Sequence, residues 1–244
     1  MNNNHTKVTI KRIILYLFGL FFLSLGVSFS IQAAFGVSPV SSLAYAFSLV
    51  SGLSVGLMTI VANILFVIVQ IILSKRLDVK EFSVQLIILL LFGFFMDATL
   101  YLIQLFPNPE TIVMRIVFLI VSLIVVAIGL LGYFTAKFPL MPYDALTYVI
   151  SERFKLKFSK AKITSDLLNV FVAGAICLIF NHSFGAVGIG TLIAAYFIGK
   201  ILGLLMRHFQ ARLQHWVFKE NHGQTEETTL HNQIEEQEST NVQL

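Results

Sequence analysis

Charge is what this chain has least of. Asp, Glu, Lys and Arg make up 12% of its 244 residues, about half the share of an ordinary soluble domain. Hydrophobic residues fill 57% of it, Phe alone occurs 23 times, and the mean hydropathy is +0.83. A soluble fold of this size could not cover so much apolar surface with so few charges, so the sequence reads as an integral membrane protein. Cysteine is nearly absent. The one thiol, Cys177, lies inside an apolar run, which excludes an intrachain disulfide and a cysteine metal cluster. Enzyme signatures are missing as well: there is no H-E-x-x-H, no G-x-S-x-G and no P-loop. Gly188-Ile-Gly190 does not follow a strand pattern, so a dinucleotide fingerprint is excluded by context. The His residues at 5, 182, 208, 215, 222 and 231 all fall at helix ends, in loops or in the tail. None is placed for an intramembrane metal or proton relay, and no cofactor, metal or catalytic role is expected.

The few charges are unevenly placed. Residues 220–244 carry six Glu and no Lys or Arg; this acidic stretch reads as a disordered tail. Apolar runs long enough for a bilayer, which needs about 20 helical residues, lie near 13–34, 54–73, 83–106, 112–136, 163–180 and 186–206. The first is longer than a signal-peptide core and is expected to be retained. Of the 17 basic residues, 15 fall before the first span, between the second and third, between the fourth and fifth, or after the sixth. The opposite loops, 35–53, 107–111 and 181–185, contain no Lys or Arg. The positive-inside rule then puts both termini in the cytoplasm and reads the basic pI as topology, with no role for nucleic acid.

A repeat underlies these spans. Shifting the chain by 103 residues aligns 26–48 with 129–151, with seven identities in 23 positions, among them Gly26/Gly129, Pro39/Pro142, Tyr45/Tyr148 and Ser48/Ser151. The same shift pairs Asn63 with Asp166, and three more residues of slippage pair Gly93 with Gly199. Each unit holds three spans, an odd number, so the second enters the membrane upside down relative to the first, as in many secondary transporters. The expected organisation is a cytoplasmic N-terminus (1–12), a first three-helix unit (13–106), a second, inverted unit with a basic juxtamembrane end (107–219), and the acidic tail (220–244).

In each unit a Pro-containing stretch too short to span and too apolar for an ordinary loop follows the first helix (36–52 and 139–152). Pro39 and Pro142 suit the first position of a helix, and Ser38 is expected to cap the first of them. Such a helix either dips into the membrane and returns, offering its N-terminus to a ligand, or lies flat at the interface. Intramembrane polar groups usually face a cavity or a partner. The candidate pathway groups are therefore Asp97, Asp144, Asp166 and Asn63, with Ser38 and Ser41 as hydroxyls on the first short helix. Asp144 takes the third helical position behind Pro142, where a carboxylate complements the dipole, and its repeat mate is Ser41. A site with that asymmetry suits a cation, a proton or an amine. Lys200 is expected to snorkel or to pair with Asp166 or Asp144, and Arg115 to anchor at the interface. Gly199 and Gly203, at G-x-x-x-G spacing, are expected to permit close helix approach.

The first helix running into Gly36-VSP, the matching Pro142-YDAL and the last-helix run Gly188-IGTLIAAYFIG resemble the YczE/YyaS/YitT group of bacterial membrane proteins. The resemblance covers most of 10–206 and implies a bacterial plasma-membrane protein with about this number of spans. It implies little about activity, the group being largely uncharacterised. FSVQ at 82–85 departs from the glycine–threonine pattern of the last helix, and a regulatory domain of the kind some YitT-like members carry is not expected after residue 219. The sequence thus reads as an all-α, six-span protein that moves a small solute or ion by alternating access. The alternative is a non-transporting scaffold, assembly factor or partner subunit. The expected partners are the lipid bilayer and that solute, with a homo-oligomer left open.

Overall fold

A computed structural model of the chain describes residues 3–75 and 78–218. Among them are eight α-helices and no strand. Six are long and apolar enough to cross a membrane: α1 (Asn3–Ala33), α3 (Val55–Ser74), α4 (Val79–Gln104), α5 (Ile112–Thr135), α7 (Phe158–Asn181) and α8 (Ile189–Leu205). The two Pro-containing stretches form the short helices α2 (Pro39–Ser51) and α6 (Pro142–Arg153). The last helix is longer than the expected 186–206, because α8 continues through a π turn, Met206–Gln210, to Phe218. Arg207 and Arg212 therefore sit on a helix, and the acidic tail lies outside the described residues.

The helices start where local chemistry satisfies their free amides. Pro39 and Pro142 open α2 and α6, where a missing N–H costs least. Ser54, Asp78 and Thr111 accept from first-turn amides of α3, α4 and α5. Ser38 occupies the cap position of α2, but its hydroxyl does not cap the helix as expected; it is turned to Ser41 Oγ at 3.4 Å.

At the centre α1 and α5 cross antiparallel. A Cβ on Gly26 would lie 2.7 Å from Val126 N, and one on Gly129 would lie 2.4 Å from Leu23 N. Close backbone approach through small residues is how helices gain packing energy in lipid, where no hydrophobic force drives them together. These contacts exchange under the shift of 103, because Gly26 and Gly129 are mates and so are Leu23 and Val126. Around the crossing, α4 packs on α1 and α8 on α5. Leu20, Leu23, Val27, Phe92, Met96, Val126 and Tyr133 are buried in this core. A hydrogen bond of 2.9 Å joins Ser28 and Thr99 across α1 and α4.

The connections repeat as well, position by position at the same offset. Ala34 and Lys137 both take the left-handed conformation, as do Gly52 and Lys155. Ser38 and Met141 precede their helices with φ −60° in both cases. Ser48 Oγ donates to Leu53 O at 2.7 Å, and Ser151 Oγ donates to Leu156 O at 2.9 Å. The start of α1, the end of α5 and the end of the last helix share one end of the bundle. There Arg12 Nε donates to Ala136 O at 2.9 Å and Lys11 stands over the Trp216 ring. At the other end Val37 N donates to Ala186 O and Gly190 N to Phe35 O.

One pair breaks the pattern. In the first unit α3 packs tightly on α4; among the described residues, α7 and α8 do not pack along their length.

Candidate functional site

Each short helix begins against the middle of a spanning helix from the other unit. Asn169, midway along α7, donates to Pro39 O at 2.6 Å and Val40 O at 3.2 Å, adding a second donor to carbonyls in the first turn of α2. In the mate of this contact, Tyr143 of α6 meets Phe66 of α3 ring edge to face, 5.1 Å between centroids. From these starts α2 runs outward to Leu49 beside Gly185, and α6 runs to Arg153 and the start of α7.

Between the two starting ends lies a cavity of about 510 Å³. Its walls bring together Ser38 and Ser41 of α2, Asn63 of α3, Asp144 of α6 and Asp166 of α7. Asn63 and Asp166 each lie eight residues into their helices, about 12 Å from the opposite ends at which those helices start.

The second unit's wall is charged. Lys162 Nζ lies 3.3 Å from Asp144 Oδ1 and 3.5 Å from Asp166 Oδ1. Its ammonium stands 4.2 Å from the centroid of the Tyr143 ring, whose hydroxyl donates to Asp166 Oδ1. Tyr133 OH donates to Asp144 Oδ2 at 3.3 Å and accepts from Met141 N at 2.6 Å, which ties the carboxylate to the turn before α6. An unpaired charge at the bilayer centre costs about 3 kcal/mol or more; here two acids share one lysine and two phenols, and the three charged side chains keep 15–29% exposure.

The first unit's wall is neutral and drier. Asn63 is 6% exposed. Its Nδ2 donates to Thr59 O at 2.8 Å, while its Oδ1 is buried without a partner. Flipping the amide would set two oxygens against each other at Thr59, so the free atom is the acceptor.

Asp97, Gly199, Gly203 and Lys200 do not take the roles expected of them. Asp97 does not line the cavity. It caps α3 from α4: Ser54 Oγ donates to Oδ2 at 2.7 Å and Gly56 N to Oδ1 at 2.6 Å. Charge-assisted bonds of this kind are about twice as strong as neutral ones. Gly199 and Gly203 do not hold a helix contact, for a Cβ on either would meet nothing within 4 Å. The close approaches fall instead on the α1–α5 crossing and on Gly56 with Gly93, where a Cβ on Gly56 would lie 2.1 Å from Gly93 O. Lys200 pairs with neither acid; its ammonium stands on the Tyr196 ring. Arg115 Nε donates to Pro109 O at 3.1 Å, at the start of α5.

Sequence reasoning missed Lys162, Tyr143, Tyr133 and Asn169. Lys162 reads as the last of a basic loop run, yet its spacing of four from Asp166 is the helical pairing distance and was the available signal. Asn169 needed only the suspicion attached to any polar residue inside an apolar run.

A curated protein of Bacillus subtilis (strain 168), "Uncharacterized protein YyaS", is 27% identical over 203 residues, covering 81% of this chain and 95% of its own length. No solved structure matches the chain. The family of unknown function DUF6198 matches residues 10–207. Matched over most of its length, the chain belongs to this DUF6198 family.

Proposed function

We propose that this is a multi-pass plasma-membrane protein, built from two inverted units, that carries a small solute or ion by alternating access and is not an enzyme. The observation that carries the reading is the cavity between the starting ends of α2 and α6, one from each unit. On this reading both short helices are re-entrant, each dipping to mid-depth and returning to its own side. Their N-termini then meet a central site, as discontinuous helices do in inverted-repeat transporters. The antiparallel crossing of α1 and α5 through exchanged contacts, and the left-handed mates at 34/137 and 52/155, support a two-fold relation between the units. The basic end, with Arg12, Lys137 and the end of the last helix, is the cytoplasmic one.

Alternating access requires the two halves to differ at any instant, and they do. The α3–α4 pair is shut by Gly56, Gly93 and the Asp97 cap, on the side read as exterior. The α7–α8 pair is parted, and the charged wall at the cytoplasmic start of α7 is partly exposed. The mates of Gly93 and Asp97 in the last helix are Gly199 and Gly203, which stand open. The opposite state would close α8 on α7 through those glycines and release α3 from α4.

Single-cysteine labelling tests this. With Cys177→Ser as background, Ser41→Cys in oriented vesicles should react with a small membrane-impermeant thiol reagent added on either side. Reaction from one side only, under every condition, would favour a non-transporting scaffold.

A further inference from the structure

We infer that the cavity recognises a protonated amine carrying an apolar body; this rests on the transport reading and names its substrate class. Among the described residues, the only charged side chains lining the cavity are Asp144, Asp166 and Lys162, which leaves one negative charge over. The donors on that wall are engaged with its own carboxylates. Lys162 gives to both carboxylates, Tyr143 to Asp166 and Tyr133 to Asp144. Both contacts to Asp166 fall on Oδ1, which leaves Oδ2 as an acceptor. Across the cavity Asn63, which lines it, holds a second unpartnered acceptor, Oδ1, closed off from the cavity as it stands and brought to its surface by a turn of the side chain. A buried acceptor left unmade costs about 1–3 kcal/mol, so the ligand that fits is one that brings N–H donors and positive charge.

The helix N-termini act in the other direction, but less strongly. Each is worth about half a charge; that of α6 is taken up by Asp144 in its first turn, and in α2 Ser41 N is already bonded to Ser38 O. Apart from the hydroxyls of Ser38, Ser41 and Thr59, the rest of the lining is mostly apolar, with Leu23, Val27, Phe66, Phe92, Leu130 and Phe134. A volume of about 510 Å³ is within the range of pockets that enclose drug-sized molecules. The aromatic faces add cation–π attraction for an ammonium, as the Tyr143 ring already does for Lys162.

Three probes of one shape and different charge test the inference on the purified full-length chain in nanodiscs: diphenylpropylamine, diphenylpropanol and diphenylpropionate. The amine should bind saturably and at least tenfold more tightly than the alcohol, and the carboxylate should not compete. Asp166→Asn should weaken the amine at least tenfold, and Asn63→Leu several-fold, with both variants monodisperse. The comparison within the wild-type protein stands even where a variant fails to fold. Equal binding of amine and alcohol, or tighter binding of the carboxylate, would overturn the amine class. If either of those probes also shields Ser41→Cys from labelling, the transport reading survives that failure. If no probe binds and Ser41→Cys is labelled from neither side, both readings fall together.

Discussion

In the proposed two-unit arrangement the pair α3–α4 and the pair α7–α8 occupy equivalent places, and they are built to opposite effect. In the first, two glycines bring the backbones into contact and a carboxylate from α4 caps the start of α3. In the second, Gly199 and Gly203 of α8, the mates of Gly93 and Asp97, face open space, and the charged groups of α7 line a cavity. Small residues alone therefore do not hold helices together; they permit an approach that something else must fix. In the first pair that something is Asp97.

The contrast can be broken most sharply at the glycines. Gly56→Ala forces a Cβ to within 2.1 Å of the Gly93 carbonyl, a backbone atom that cannot turn away, and should cost about 1–3 kcal/mol. Gly199→Ala, with nothing within 4 Å, should be neutral or gain up to about 1 kcal/mol from helix propensity. Thermal unfolding of the two variants in one detergent checks both signs. A loss of stability in Gly199→Ala matching that in Gly56→Ala would mean that the α7–α8 pair spends most of its time closed.

Asp97→Asn should act less severely and more selectively. It removes the charge from two bonds onto α3 and should weaken the closed state by about 1.4 kcal/mol, near tenfold in population. Labelling of Ser41→Cys from the exterior should then accelerate while amine affinity changes little. An Asp97→Asn protein that labels at the parental rate would reduce the cap to simple helix stabilisation.

The smallest effect is expected where the units repeat each other most closely. Gly52 and Lys155 both take the left-handed conformation after their short helices, a region that costs an L-residue about 1–2 kcal/mol. Lys155→Gly should therefore stabilise the protein by up to about 1 kcal/mol, and Gly52→Ala should destabilise it by a similar amount. Chemical denaturation of the pair measures the two changes, and like signs would show that the turns are not equivalent.

How much of this was legible follows from what each signal measures. Hydropathy placed six spans to within a few residues, except at α1, whose polar start from Asn3 is helical, and at the last helix beyond residue 206. Pro39 and Pro142 marked the first residues of both short helices. That Asp97 lies inside an apolar span was readable, but not that it meets the start of α3, since its position along α4 says nothing about which neighbour it faces. The Gly199–Gly203 spacing likewise gave a surface without a partner. Lys162 was hidden by its company, because a basic run at a helix start reads as cytoplasmic loop until tertiary packing folds α6 over it.

The central claim is that the two pairs exchange states, and distances between spin labels measure it directly. In a Cys177→Ser background, one label pair at Leu57 and Tyr101 spans α3 and α4, and another at Ile163 and Leu204 spans α7 and α8; all four side chains are exposed. Two populations should appear for each pair, and any condition that lengthens the first distance, diphenylpropylamine included, should shorten the second. A single fixed distance for both pairs under every condition would contradict the account.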